Sequence, residues 1–317
     1  MSPSGRKHAT SSSAISATDS TTTESITAGI DSRSIWRQFR RDRTATIGAF
    51  ILFLFVASVA LGPFFYTADY STIDYSQANI PPSLQHLFGT NDRGQDQLAR
   101  MLWGGRISIA VGITAMLVSV SLGTLVGAIS GFCGGFVDSL LMRLTDLFLS
   151  LPQLPLLLLI IYLFEDKMRD VAGPELGIFL LIILVIGGLT WMSTARLVRA
   201  GFLATKEQTF VQAARSLGAK PQRIVWNHIL PNVVGPVIVA ATLGVGNAII
   251  TESTLSFLGI GFPPDVPTWG RMLFDAQDYI QSAPHLVIFP GLAIFLTVLS
   301  VNYVGDGLRD ALDVRSR

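Results

Sequence analysis

Charged residues and cysteine are scarce in this sequence. Only 14% of the 317 residues are charged, the net charge is +1 and the mean hydropathy is +0.50. Such a composition is too apolar for a soluble domain of this length and indicates a polytopic membrane protein. The near-zero net charge gives no indication of a nucleic-acid partner. The single cysteine, Cys133, excludes an intrachain disulfide and a cysteine metal cluster. We expect it to be inert packing in an apolar setting.

The motifs of nucleotide binding and covalent catalysis are absent from the sequence. There is no Gly-x4-Gly-Lys-Ser/Thr loop to hold the phosphates of ATP, no His-Glu-x2-His zinc motif and no Gly-x-Ser-x-Gly elbow. The four histidines lack metal-ligand spacing, and we expect them to be loop or interface residues: His8, His86, His228 and His285. The sequence therefore predicts no cofactor, no metal and no enzymatic activity in this chain.

The N-terminal region consists of a polar tail followed by a short basic segment. Residues 1–34 are rich in Ser and Thr and nearly free of large apolar residues, which predicts a disordered tail. In residues 35–45, Ile35, Trp36 and Phe39 fall on one helical face among arginines, as in an interfacial helix. A simple positive flank of the first span is the alternative. Either interpretation places this end in the cytoplasm.

Residues 46–317 contain six apolar segments and are predicted to form an all-α polytopic membrane domain. We expect an outer-face loop at 67–106, a cytoplasmic loop at 200–230, a folded outer-face insertion at 252–284 and both termini inside the cell. Pro152 and Pro155 should kink the third span, and Arg143 and Asp146 are spaced to pair. The six spans are residues 46–66, 107–130, 137–164, 176–192, 231–250 and 285–304.

The polar, cationic stretch from Phe210 to Asn232 has apolar spans on both sides. The pattern predicts a helix over Lys206–Leu217 that ends at Gly218, because glycine adopts the left-handed C′ conformation without a Cβ penalty. Pro221 fits the first turn of a second helix. Such a helical hairpin on the cytoplasmic side of a membrane protein is suited to docking a soluble partner. Its cationic residues are Arg215, Lys220 and Arg223.

This stretch resembles the "EAA" loop of permease subunits of ATP-binding-cassette importers. The family pattern is Glu-Ala-Ala, three residues, Gly, nine residues, then Ile-x-Leu-Pro, and its spacing is kept here. The resemblance implies that the loop carries the coupling helix that enters a cleft of the ATPase subunit. Gln212 in place of Glu removes any salt bridge made by that Glu but leaves the docking shape. The matching residues are Ala213, Ala214, Gly218, Ile229, Leu230 and Pro231, while Gln212 and His228 depart from the Glu and Ile of the family pattern.

Two further regions resemble the C-type permease subunit of dipeptide and oligopeptide importers. One is the run from Gly89 to Ser108, which we expect to be a structural elbow rather than a substrate site. The other runs from Glu252 through Trp269 and Gly270 in the outer insertion. Glu252 has two possible roles, a residue of the translocation path or gate, or a capped structural acid. The tail from Gly305 to Asp313 matches the same subunits.

The resemblance implies a type I importer permease fold and a role in peptide uptake. Expected partners are a second homologous permease, two ATPase subunits, an extracytoplasmic substrate-binding protein, the peptide and membrane lipid. The implied location is the cell membrane, with ATP hydrolysis left to the partner subunits. Two alternatives remain open at this point. The same machinery could import another cargo, such as a nickel chelate or glutathione, or the chain could act alone as a channel or intramembrane enzyme.

Overall fold

The structure is a computed structural model that describes residues 32–312. The predicted disordered tail lies outside these residues, except that residues 32–34 form the first turn of a helix rather than part of a tail. The described chain is built from α-helices: α1 (Ser32–Arg41), α2 (Arg43–Phe65), α3 (Gln97–Cys133), α4 (Gly135–Ser150), α5 (Gln153–Ala172), α6 (Pro174–Gly188), α7 (Trp191–Lys206), α8 (Thr209–Ser216), α9 (Pro221–Ile224), α10 (Leu230–Phe257), α11 (Trp269–Ala276) and α12 (His285–Leu312).

Four helical segments are long and apolar enough to cross a membrane by themselves. They are α2, α3, α12 and the continuous run from Pro221 to Phe257, which includes α10. Two bent pairs, α4 with α5 and α6 with α7, bring the number to six if each pair is one span. The predicted count of six therefore agrees with the helices of the described residues.

The second span begins earlier than predicted. Helix α3 starts at Gln97 rather than Ile107, so the outer loop is shorter than residues 67–106. The cause is Asp96, whose carboxylate accepts a hydrogen bond from the Ala99 backbone N–H at 2.8 Å and caps the helix. A polar first turn with Gln97 and Arg100 hid this start in the hydropathy pattern.

The third span contains a sharp break rather than a mild kink. The axes of α4 and α5 differ by 88° at Leu151 and Pro152. Pro152 has no N–H to continue the helix and becomes the N-cap of α5. Pro155 lies inside the first turn of α5, where a proline is tolerated.

The predicted ion pair between Arg143 and Asp146 is wrong. Asp146 instead pairs with Arg196 of α7, and Asp138 pairs with Arg199 through two contacts of 2.5 and 2.7 Å. Helix α4 packs against α7, so its carboxylates meet arginines across the interface instead of along their own helix. Two acid–arginine pairs therefore fasten α4 to α7.

Helices α3 and α7 approach each other closely along a stripe of glycines. A Cβ at Gly127 would lie only 2.4 Å from the Ala195 carbonyl oxygen, so no larger residue fits there without a shift. Gly123 and Gly131 meet α7 in the same way, with Cβ distances of 2.6 Å to Thr194 and Phe202. Small residues at these positions therefore permit the close approach of the two helices.

The helix bundle has two distinct ends. The hairpin end carries α8, α9, α1 and the C-terminal part of α12, while the long-loop end carries residues 66–96 and α11. Cys133 is exposed at the hairpin end, contrary to the buried position that we expected. It is the last residue of α3 before the Gly134 turn, so the bundle does not cover it.

Candidate functional site

The hairpin end carries a helical hairpin with a well-formed turn. Helix α8 begins at Thr209 because Gln208 is extended, so the predicted helix over Lys206–Leu217 is split after Lys206. Gly218 adopts a φ of +80°, as predicted. Its N–H donates to Arg215 O at 3.0 Å and the Ala219 N–H donates to Ala214 O at 3.1 Å. This pattern is a Schellman motif, which satisfies the last carbonyls of α8.

The second arm of the hairpin is continuous with a membrane-spanning helix. Helix α9 starts with Pro221 and passes through a π-helical turn, Val225–Ile229, directly into α10. In that turn the Leu230 N–H donates to Val225 O, so the wider turn accommodates Pro231, which lacks an N–H. The hairpin is therefore extended by α10 into the centre of the bundle, a continuity that the sequence pattern did not reveal.

An apolar cluster fixes the hairpin to the bundle. Val211 of α8 and Ile224 of α9 are buried against Phe202 of α7 and Val233 of α10. A buried aliphatic side chain contributes about 1.5–3 kcal/mol, so this cluster holds the hairpin firmly against both helices. Movement of the hairpin should therefore move α7 and α10 with it.

The outer surface of the hairpin is not covered by any other part of the chain within residues 32–312. Of the four residues predicted for coupling, Gln212, Ala213 and Gly218 are exposed and Ala214 is half-buried. Leu217 at the tip is 88% exposed, with Arg215, Lys220 and Arg223 exposed nearby. The tip of the hairpin therefore presents an exposed leucine flanked by three cations.

A cavity of about 600 Å³ opens between the helices behind the hairpin. Residues of α3, α7 and α10 form its walls, together with the breaks between α4 and α5 and between α6 and α7. A second cavity of about 440 Å³ shares Leu197, Ala240 and Leu243 with it and extends to Arg309 near the hairpin end. The two cavities form one groove along α7 and α10, the helices that hold the hairpin.

Glu252 does not line this groove and lies near the long-loop end of α10. It is fully buried, and its carboxylate accepts a hydrogen bond from the Ser256 hydroxyl at 2.8 Å. The Ser108 hydroxyl of α3 lies 3.5 Å from the same carboxylate and accepts the Trp269 backbone N–H at 3.2 Å. Glu252 thus joins α10, α3 and α11. This arrangement favours the structural alternative for Glu252.

The run from Gly89 to Ser108 is also part of a buried polar anchor. Arg100 is 2% exposed, donates to Gln95 Oε1 at 2.6 Å and lies 3.5 Å from Asp275 of α11. Burial raises the pKa of Asp275, and Arg271 and Arg100 oppose that effect. These contacts join the outer loop to the outer insertion, in agreement with the expected structural elbow.

Comparison with known proteins decides the family. The family described as binding-protein-dependent transport system inner membrane component matches residues 123–317, and the N-terminal TM domain of oligopeptide transport permease C matches residues 32–82. The chain belongs to the binding-protein-dependent transport system inner membrane component family. The first match includes the hairpin and the outer insertion, and the run from Gly89 to Ser108 lies between the two matched ranges.

The curated relatives cover almost the whole chain. It is 37% identical to the dipeptide transport system permease protein DppC of Alkalihalophilus pseudofirmus over 285 residues, 90% of each chain. It is 37% identical to the oligopeptide permease OppC of Haemophilus influenzae, covering 91% of each chain. A glutathione permease, GsiD of Escherichia coli, is 38% identical over 88% of each chain.

A solved structure supports the fold. The inward-facing MetNI methionine ABC transporter matches with a TM-score of 0.52 at 17% identity, over 68% of this chain and 96% of that chain. The protein therefore has the type I ABC importer permease fold, which confirms the predicted fold class. As a member of this permease family, the chain is a membrane component of an ATP-driven importer.

Proposed function

We propose that this chain is the C-type permease subunit of an importer of dipeptides and oligopeptides. The proposal rests on a direct structural connection between the hairpin and the cavity. A hairpin with an exposed apolar tip is continuous with α10, and α10 forms one wall of the 600 Å³ cavity. The names of the relatives supply the cargo class, since dipeptide and oligopeptide permeases match over nine-tenths of the chain.

The proposed coupling runs from an ATPase subunit through the hairpin to the cavity. ATP closes the ATPase dimer, and the surface around Gln212, Ala213, Ala214 and Gly218 follows its docking cleft. The buried cluster behind the hairpin transmits this movement to α7 and α10, which then open the cavity toward the outer face. The difference in affinity of the ATPase pair for the two permease conformations provides the free energy.

The proposal includes a defined set of partners and an orientation. A second, homologous permease completes the path, two ATPase subunits receive the hairpins and a substrate-binding protein delivers peptide from outside. The hairpin end faces the cytoplasm, since Arg37, Arg40, Arg41 and Arg43 all lie at that end. The path or gate role of Glu252 stays a prediction, and its burial supports its alternative role as an anchor for α11.

Glutathione is the second candidate cargo. Permeases named for glutathione match this chain with 38% identity, close to the values for peptide permeases. Glutathione is itself a modified tripeptide, so a path that accepts short peptides has the size and polarity to accept it.

Purification of the chain from its native membrane tests the proposal. We expect a second permease, two P-loop ATPases and a substrate-binding protein to co-purify. The reconstituted complex should take up a labelled tripeptide only when ATP and the binding protein are both present. Uptake by the chain alone without ATP would overturn the proposal in favour of a channel. Uptake of glutathione but not of unmodified peptides would assign the second cargo.

A further inference from the structure

Two largely buried residues in the wall of the large cavity have hydroxyls without a hydrogen-bond partner within the described residues. Ser119 of α3 and Thr194 of α7 are each only 7% exposed, and both line the cavity. Two other hydroxyls of the same wall behave differently, because Thr190 donates to Ile186 O and Thr251 donates to Asn247 O, both at 2.8 Å. The cavity reaches both hydroxyls, so Ser119 and Thr194 are available to a ligand.

Both helix breaks of the bundle open onto this cavity. Helix α5 begins after Pro152 and helix α7 begins after Thr190, and neither start receives a side-chain cap. Residues of both first turns, Gln153 and Ser193, line the cavity wall. The free N–H groups of a helix start carry partial positive charge and favour an acceptor such as a carbonyl or carboxylate. Interrupted helices around a central cavity are typical of transporter binding sites.

The cavity wall contains polar groups but no ionisable side chain. Among the described residues that line it, the polar ones are Ser119, Gln153, Thr190, Ser193, Thr194, Asn247 and Thr251. A ligand in this cavity is therefore recognised through neutral hydrogen bonds and helix ends. A charged side chain of the ligand has no partner of opposite charge on this wall.

We propose that Ser119 and Thr194 form a subsite that holds a peptide by its main-chain amides and carboxylate during passage. The subsite rests on the proposed function of peptide import and assigns residues within it. It does not select the side chain of the peptide, because main-chain groups are the same in every peptide. The wall thus provides affinity for the peptide class without discrimination by charge.

Uptake by the complete importer in proteoliposomes tests the subsite. The variants are Ser119→Ala and Thr194→Val, with Ser121→Ala as the matched control, because Ser121 lies on the same helix, is exposed and does not line the cavity. The probes are the peptides Ala-Ala-Ala, Ala-Lys-Ala and Ala-Glu-Ala. Each is supplied at a concentration that saturates the substrate-binding protein. We expect each cavity variant to lower the maximal uptake rate by about fivefold, the effect of one net hydrogen bond. The loss should be the same for all three peptides, and the control should match the wild type.

A Ser119→Asp variant adds a readout that a purely structural role of Ser119 would not change. A carboxylate in the subsite should make uptake of Ala-Lys-Ala at least severalfold faster than that of Ala-Glu-Ala. The amount of co-purified ATPase checks assembly of every variant. If the wild-type complex takes up the peptides and the Ser119→Ala and Thr194→Val variants do so at the same rate, the subsite proposal is overturned and the proposed function is not. A wild-type complex that takes up none of the three peptides would contradict the proposed function itself.

Discussion

Arg106, which belongs to the motif from Gly89 to Ser108, connects helix α3 to helix α2. Its guanidinium donates to the carbonyl oxygens of Val59 at 3.0 Å and Ala60 at 2.7 Å, and lies over the Trp103 ring. Pro63 of α2 has no N–H, so the Val59 carbonyl has no partner within its own helix. Arg106 supplies the missing donor from the neighbouring helix.

Replacement of Arg106 should therefore destabilise the first two spans. We expect Arg106→Ala to lower the free energy of unfolding by about 2 kcal/mol, because a carbonyl in the apolar bundle loses a charged donor. The melting temperature of the purified complex measures this change. Arg143→Ala is the control, since Arg143 is exposed and has no ion pair within the described residues. Equal melting temperatures for both variants would contradict the assignment.

Glu252 offers a second test at the level of one residue. If Glu252 is an anchor, the Glu252→Ala substitution should lower the free energy of unfolding by about 3 kcal/mol. The substitution leaves the Ser256 hydroxyl unpaired and opens a cavity. Glu252→Gln keeps an acceptor of similar size and should transport nearly normally. Thermal melting and peptide uptake are both measured. A gate would give the opposite result, with uptake lost in Glu252→Gln and the melting temperature unchanged.

At the scale of the element, the turn of the hairpin determines how the docking surface is presented. A β-branched residue at Gly218 must adopt a φ near +80°, which costs about 1–2 kcal/mol. We expect Gly218→Val to distort the turn and to separate ATP hydrolysis from peptide uptake, with normal membrane insertion. The ratio of ATP hydrolysed to peptide imported is the measurement.

Gly291→Val is the matched control for this variant. Gly291 lies in α12 with ordinary helical backbone, and a Cβ there would meet no atom within 4 Å, as at Gly218. The two substitutions therefore differ in backbone conformation rather than in available space. An unchanged coupling ratio in Gly218→Val would show that the turn does not transmit the movement.

At the scale of the whole molecule, the orientation of the bundle is testable because Cys133 is the single cysteine. In a Cys133→Ser background, Leu84→Cys and Leu217→Cys place thiols at opposite ends, where the native side chains are 98% and 88% exposed. An impermeant maleimide should label Leu84→Cys in intact right-side-out membranes, and should label Leu217→Cys only in inside-out vesicles. The reverse pattern would invert the proposed topology.

The sequence alone was sufficient to predict the spans and the hairpin turn, because both depend on local chemistry. Long apolar runs must leave water, Gly218 must end a helix and Pro221 can begin one, whatever lies around them. The start of α3 was misplaced because a polar first turn buried by the outer insertion looks like a loop in a hydropathy pattern.

Only the tertiary structure decided which side chains meet across the bundle. Asp146 had a plausible partner on its own helix, yet the packing of α4 on α7 brought Arg196 closer. Ser119 and Thr194 are 75 positions apart in the numbering of the chain and carry no local signal of shared function. Their meeting at one cavity depends on the glycine stripe of α3 and on two helix breaks. The hydropathy of a segment depends only on its own residues and predicts whether it enters the lipid. Which side chains contact each other across helices depends on the positions of all the segments together.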